Sequence, residues 1–348
     1  MNTSRIDYIN IGLMVVSLVA AIKLPFQLFL LAYAVLGPLH YLTEIGWLHK
    51  RNYFAKGKND WLLLTFFCTL EFIALMFFEA KKYPLTAQWM ESLQNSSFSF
   101  IYDLFTENDT IFIFMAFATA LATVVFSNAL YRYLFILLCF IPAIYVNKIP
   151  TLAILFGVFL PTIIHVCIFT GLFMLFGAMK SRSTSGYLSV LAFVLCILFI
   201  FNIKVDPKSY KVGEYWINSL IDSNFNALNY RIWEVIAPNS KAQFMLNSAT
   251  GIRIQAFIAF VYTYHYLNWF SKTEVIKWHQ VPKKWLITTA LIWVASVSLY
   301  FYNYRTGLIA LFFLSVLHVF LEFPLNFQSI IGIGKEGLNM AGRKTAKV

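Results

Sequence analysis

Stretches of about twenty mostly apolar residues recur along the whole chain. A helix of about that length crosses a bilayer core about 30 Å thick. Only 12% of the 348 residues are charged and 59% are hydrophobic, where a soluble domain carries roughly 25% charge. With a mean hydropathy of +0.68, the sequence predicts an all-α, polytopic integral membrane protein forming a single transmembrane domain over residues 1–348.

Ten spans are expected: Tyr8 to Leu24, Phe26 to Leu48, Trp61 to Phe78, Thr110 to Phe126, Leu130 to Val146, Thr151 to Met179, Tyr187 to Ile203, Ile252 to Phe270, Trp285 to Tyr302 and Thr306 to Phe327. The first reads as a retained span, since no small-residue cleavage site follows it. Loop charge orients them. Lys50, Arg51, Lys56 and Lys58 follow span 2, Lys180 and Arg182 follow span 6, and Lys272, Lys277, Lys283 and Lys284 follow span 8. Lys335, Arg343, Lys344 and Lys347 lie in the tail. The loop after span 3 is acidic on balance, with Glu79, Glu91, Asp103, Glu107 and Asp109 against Lys81 and Lys82. Basic loops stay in the cytoplasm, so both termini are expected there, in a bacterial inner membrane. The net charge of +11 is read as this orientation signal, with membrane lipids and not nucleic acid as the partner.

Two long outer loops, 79–109 and 204–250, mix aromatic and polar residues, among them Trp89, Phe98, Tyr102, Trp216, Tyr230 and Trp233. Such sequences suit short interfacial helices or plain loop packing. The four cysteines, Cys68, Cys139, Cys167 and Cys196, have no C-x-x-C spacing, so neither a thiolate metal site nor a disulfide framework is expected.

Six histidines are present. His49 and His279 fall in cytoplasmic loops. His40, His165, His265 and His318 fall in spans 2, 6, 8 and 10, all running inward. They lie fifteen residues after Pro25, fifteen after Pro150, fourteen after Gly251 and thirteen after Arg305. At 1.5 Å per residue each sits about 20–22 Å deep. Ionisable groups in a membrane are costly and face the bundle interior, so four imidazoles at one depth predict a shared metal site.

Glu44 follows His40 by four residues, and Glu322 follows His318 by four. Residues at that spacing share a helix face. Each carboxylate can bind metal directly or accept the N–H of a liganding imidazole. Imidazole plus carboxylate suits iron, zinc or manganese better than copper(I). Glu71 is a further buried acid without a histidine in its own span. Pro38, Pro161 and Pro324 flank three of the histidines and can kink their helices. Tyr262, Tyr264, Tyr266 and Trp269 surround His265, a setting that suits either a conjugated or isoprenoid ligand or ordinary helix packing.

In chain order, "GPLHYLTE", "LPTIIHVCIFTG", "VYTYHYLNWF" and "VLHVFLEFP" resemble the motifs of the Brp/Blh family, membrane enzymes that split β-carotene into two retinals. Here both acids are Glu where the family has Asp, and Trp269 stands where it has a second histidine. The resemblance implies a histidine-held iron(II) centre that activates O₂ beside a lipid-soluble polyene, with Glu44 and Glu322 tuning its ligands as the catalytic carboxylates. Three other readings stay open. One is a haem protein, although two stacked haems would need histidines at two depths. Another is a diiron oxidase, desaturase or hydroxylase with four His and two Glu. The third is a transporter coupled through the His/Glu layer.

A reporter active only outside the cytoplasm should be active when fused after Asp103 and silent when fused after Lys58. The reverse result would invert the orientation.

Overall fold

The computed structural model describes residues 3–238, 243–272 and 281–345. His279, with the loop charges Lys277 and Lys347, lies outside the described residues. Among the described residues the chain is helical, with no strand. In chain order the helices are α1 (Thr3–Lys23), α2 (Pro25–Lys50), α3 (Trp61–Ala80), α4 (Pro84–Gln94), α5 (Ser99–Glu107), α6 (Asp109–Val125) and α7 (Ala129–Lys148). Then come α8 (Pro150–Ser181), α9 (Thr184–Asn202), α10 (Glu214–Asp222), α11 (Asn226–Ile236), α12 (Ala249–Ser271), α13 (Lys283–Tyr302) and α14 (Tyr304–Thr345).

Eight of these are long and apolar enough to cross a membrane: α1, α2, α3, α7, α8, α9, α13 and α14. The chain is therefore a multi-pass membrane protein by length and composition. The other two expected spans are also helices. Helix α6 reaches spanning length only together with α5, across a 65° bend. Helix α12, at 23 residues, is long enough, but Gln255, Thr263, His265, Asn268 and its tyrosines dilute its hydropathy. The last helix does not stop at Phe327 as expected but continues to Thr345, with Pro324 inside it. A membrane helix tolerates such a proline where neighbouring groups satisfy the freed carbonyl. Short helices α4 and α5 occupy the first long loop, and α10 and α11 the second.

The chain divides into two compact units. The first comprises Met1–Glu44, Ile163–Leu311 and Ser329–Val348, and the second Ile45–Thr162 and Phe312–Gln328. In the second, α3 and α7 pack on α6. A buried ion pair joins Arg132 to Asp60 at 3.4 Å, and Asp60 also accepts the Gly57 N–H at 2.8 Å.

The first unit is built around α12, which packs against α1, α2, α9 and α11. Every residue from Ile254 to Tyr266 is buried, more than three turns with no exposed face. A helix enclosed all round need not be apolar all round, provided its polar groups find partners. Gln255 donates to the Pro25 carbonyl at 3.2 Å, and Arg253 to the Ile203 carbonyl at 2.9 Å. The Ser271 hydroxyl reaches Asn10 at 3.1 Å. Helices α9 and α13, by contrast, expose rows of large apolar side chains such as Leu191, Leu195, Leu291 and Phe301, as lipid-facing helices do.

The two faces make opposite predictions. Phe260, fully buried in α12 against Phe193 and Tyr264, should cost about 3–5 kcal/mol when replaced by alanine, read as a large fall in Tm in detergent. Exposed Phe301, replaced the same way, should leave Tm nearly unchanged.

Candidate metal centre

Two of the histidine helices depart from α geometry. Residues Ala32–Leu36 of α2 and Ile154–Phe169 of α8 are π-helical, bonded i to i+5. Each stretch contains the carbonyl that a proline ring would strike four residues back: Ala34 for Pro38 and Gly157 for Pro161. The wider turn accommodates the proline without breaking the helix. In α2 the Trp293 indole donates to the Val35 carbonyl at 2.8 Å, and the Tyr304 hydroxyl to the Leu30 carbonyl at 3.0 Å.

His40, His165, His265 and His318 are all buried, exposing between 1% and 6% of their surface. Three of them belong to the first unit. His40 on α2, His165 on α8 and His265 on α12 offer nitrogens within 4.8 Å of one another. His40 Nε2 and His265 Nε2 stand 3.0 Å apart. The His265 ring meets those of His40 and His165 edge-on, at centroid distances of 4.7 and 4.8 Å. Nitrogens sharing one metal at about 2.0–2.1 Å stand about 3–3.4 Å apart in neighbouring positions. The His40–His265 pair has that separation.

The Glu44 carboxylate lies 3.0 Å from His40 Nε2, the nitrogen that also faces His265. His265 uses its second nitrogen as well: Nδ1 is 2.8 Å from the Thr170 hydroxyl. Thr170 begins the α-helical part of α8, directly after the π stretch. The sequence reading did not single it out, because in an α-helix a residue five after His165 points well away from it. A second threonine supports α2. Thr43 donates to the carbonyls of Leu39 and His40 at 2.8 and 2.9 Å, and accepts the Trp269 indole N–H at 3.0 Å.

The aromatic residues around His265 divide by helical phase. Tyr266 has its ring 5.1 Å from His40 and 5.6 Å from His265, and the Trp269 ring is 5.7 Å from His40. Gly37 permits this approach: a Cβ there would stand 3.3 Å from the Tyr266 hydroxyl. Tyr262 continues the face towards Tyr33 and Phe29. Tyr264 turns instead to Asn10 and Met174, each 3.4 Å from its hydroxyl.

In the second unit, His318 and Glu322 are both buried on α14, one turn apart, and Glu71 is buried on α3. Near Glu71, the Cys68 thiol reaches the Phe313 carbonyl at 3.6 Å. His49 is exposed and lies 3.0 Å from the Tyr53 hydroxyl. The chain matches no known protein family, no curated protein and no solved structure.

Replacing His40 or His265 with alanine should abolish metal uptake measured by elemental analysis of the purified protein, whereas His49→Ala should leave it unchanged. Equal uptake in all three variants would remove the metal assignment.

Proposed function

We propose that this chain is a membrane-embedded oxygenase with a non-haem metal, iron(II) foremost, acting on a lipid-soluble polyene or isoprenoid in the manner of carotenoid cleavage to retinal. The observation that carries the reading is the convergence of buried imidazole nitrogens in the first unit, with His40 Nε2 and His265 Nε2 at 3.0 Å. Neutral nitrogen donors with carboxylates nearby suit iron, zinc or manganese, so the residues present fit such an ion. When bound, iron(II) would supply a position for O₂ beside the substrate.

In this reading His40, His165 and His265 are ligands from the first unit. Glu44 is a direct ligand, because its oxygen shares the nitrogen that faces His265. Tyr266 and Trp269, beside His40, form the end of the substrate site next to the chemistry, and Tyr262 extends it. Tyr264 packs against α1. The apolar surroundings exclude water, and the substrate arrives from the lipid of what we take to be a bacterial inner membrane, both termini being cytoplasmic.

Geometry weighs against haem between His40 and His265. Two axial ligands would stand about 4 Å apart, twice a metal–nitrogen bond of about 2 Å, with a porphyrin between them. A second reading, a diiron oxidase, desaturase or hydroxylase, draws support from Glu44, since a carboxylate beside the imidazoles raises the ligand count.

Elemental analysis and an absorption spectrum of the purified protein should show iron, or zinc or manganese in its place, without a Soret band. One metal ion per chain fits the oxygenase and two the diiron enzyme, while a Soret band or full activity without metal would overturn both. In a host that accumulates β-carotene, expression should bleach the colour and yield retinal. Persisting colour with no retinal would exclude carotene as the substrate.

A further inference from the structure

The π stretch of α8 has a consequence for the residue that follows it. An α-helix turns about 100° per residue, which would carry residue 170 roughly 140° around the helix from residue 165. Bonding i to i+5 widens the turn and returns the fifth residue towards the starting face. Both residues accordingly meet the same side chain on α12. The ring of His165 lies 4.8 Å from that of His265, and the Thr170 hydroxyl lies 2.8 Å from His265 Nδ1. The contact is buried at both ends, so water does not compete for Nδ1.

We infer that Thr170 is a positioning residue for the metal centre: its hydroxyl accepts the Nδ1–H of His265, fixes the tautomer with a lone pair on Nε2, and holds that nitrogen facing His40. This rests on the metal-binding reading above and adds a residue to it. The same contact also sets ring orientation, because the 2.8 Å bond to Thr170 and the 3.0 Å approach to His40 lie on opposite nitrogens of one ring. Groups that orient a liganding imidazole in this way typically change metal affinity by about 10–100-fold when removed. Valine is nearly isosteric with threonine but cannot accept the bond, whereas serine can.

The test uses cobalt(II) as the probe, added to the metal-stripped full chain in detergent, with its visible ligand-field spectrum as the readout. Thr170→Val should weaken cobalt binding by about tenfold or more and shift the ligand-field bands. Thr170→Ser should bind within a few-fold of the unmodified protein with an unchanged spectrum. Circular dichroism and Tm of both variants establish that they fold. If folded Thr170→Val binds cobalt as tightly as the unmodified protein, with the same bands, the inference is overturned. It also fails if Thr170→Ser is as impaired as Thr170→Val, since a retained hydroxyl would then not preserve binding. If the unmodified protein takes up no cobalt, zinc or iron, the metal reading itself fails, a distinguishable outcome.

Discussion

Both nitrogens of His265 are engaged, one against His40 at 3.0 Å and one against Thr170 at 2.8 Å. An imidazole buried away from water is costly unless its polar atoms are partnered, and more so within a bilayer. Much of the first unit can be read as the surroundings this side chain requires. Helix α12 is enclosed by α1, α2, α9 and α11, so His265 and its polar neighbours never face lipid. Of the enclosing helices, α1 and α9 carry the exposed apolar surface instead, through side chains such as Val15, Val19, Leu191 and Leu195.

The partners of His265 come from two helices that give up α geometry next to a proline. In α2 the π turn ends at Leu36, just before Gly37, Pro38 and His40. In α8 it includes Pro161 and His165 and ends just before Thr170. Widened turns are uncommon and less well packed than α turns, and they occur often at functional sites. Here they shift phase: residues beyond the widened turn face a direction that regular spacing would not give them. Donations from Trp293 and Tyr304 to α2 carbonyls help a span with irregular backbone persist in a dry environment.

The apolar runs and the four buried histidines were legible because both follow simple periodic rules. About twenty apolar residues make a span, and a count of 1.5 Å per residue gives depth. Helix α12 was legible as a helix, although its buried polar residues dilute its hydropathy and it is not among the eight helices apolar enough to span. Thr170 was hidden by that same reliance on regular spacing. One turn after His165 stands Phe169, and the π register places the partner of His265 at the next position. The true end of α14 was hidden too, since apolar patterning marks where a span leaves the membrane and not where the helix stops.

Charge balance connects the carboxylates to the proposed centre. Imidazole ligands are neutral when they bind, so a divalent ion held by histidines alone would carry two uncompensated positive charges into a low-dielectric interior, where the cost of an unpaired charge is greatest. Glu44 places a carboxylate oxygen 3.0 Å from His40 Nε2, on the side that faces His265. Glu322 repeats the spacing after His318 on α14. On this argument a carboxylate beside the imidazoles favours the presence of the ion, whatever part it takes in the chemistry. The i to i+4 spacing then has a physical reason: it returns a compensating charge to the face of the ligand it serves.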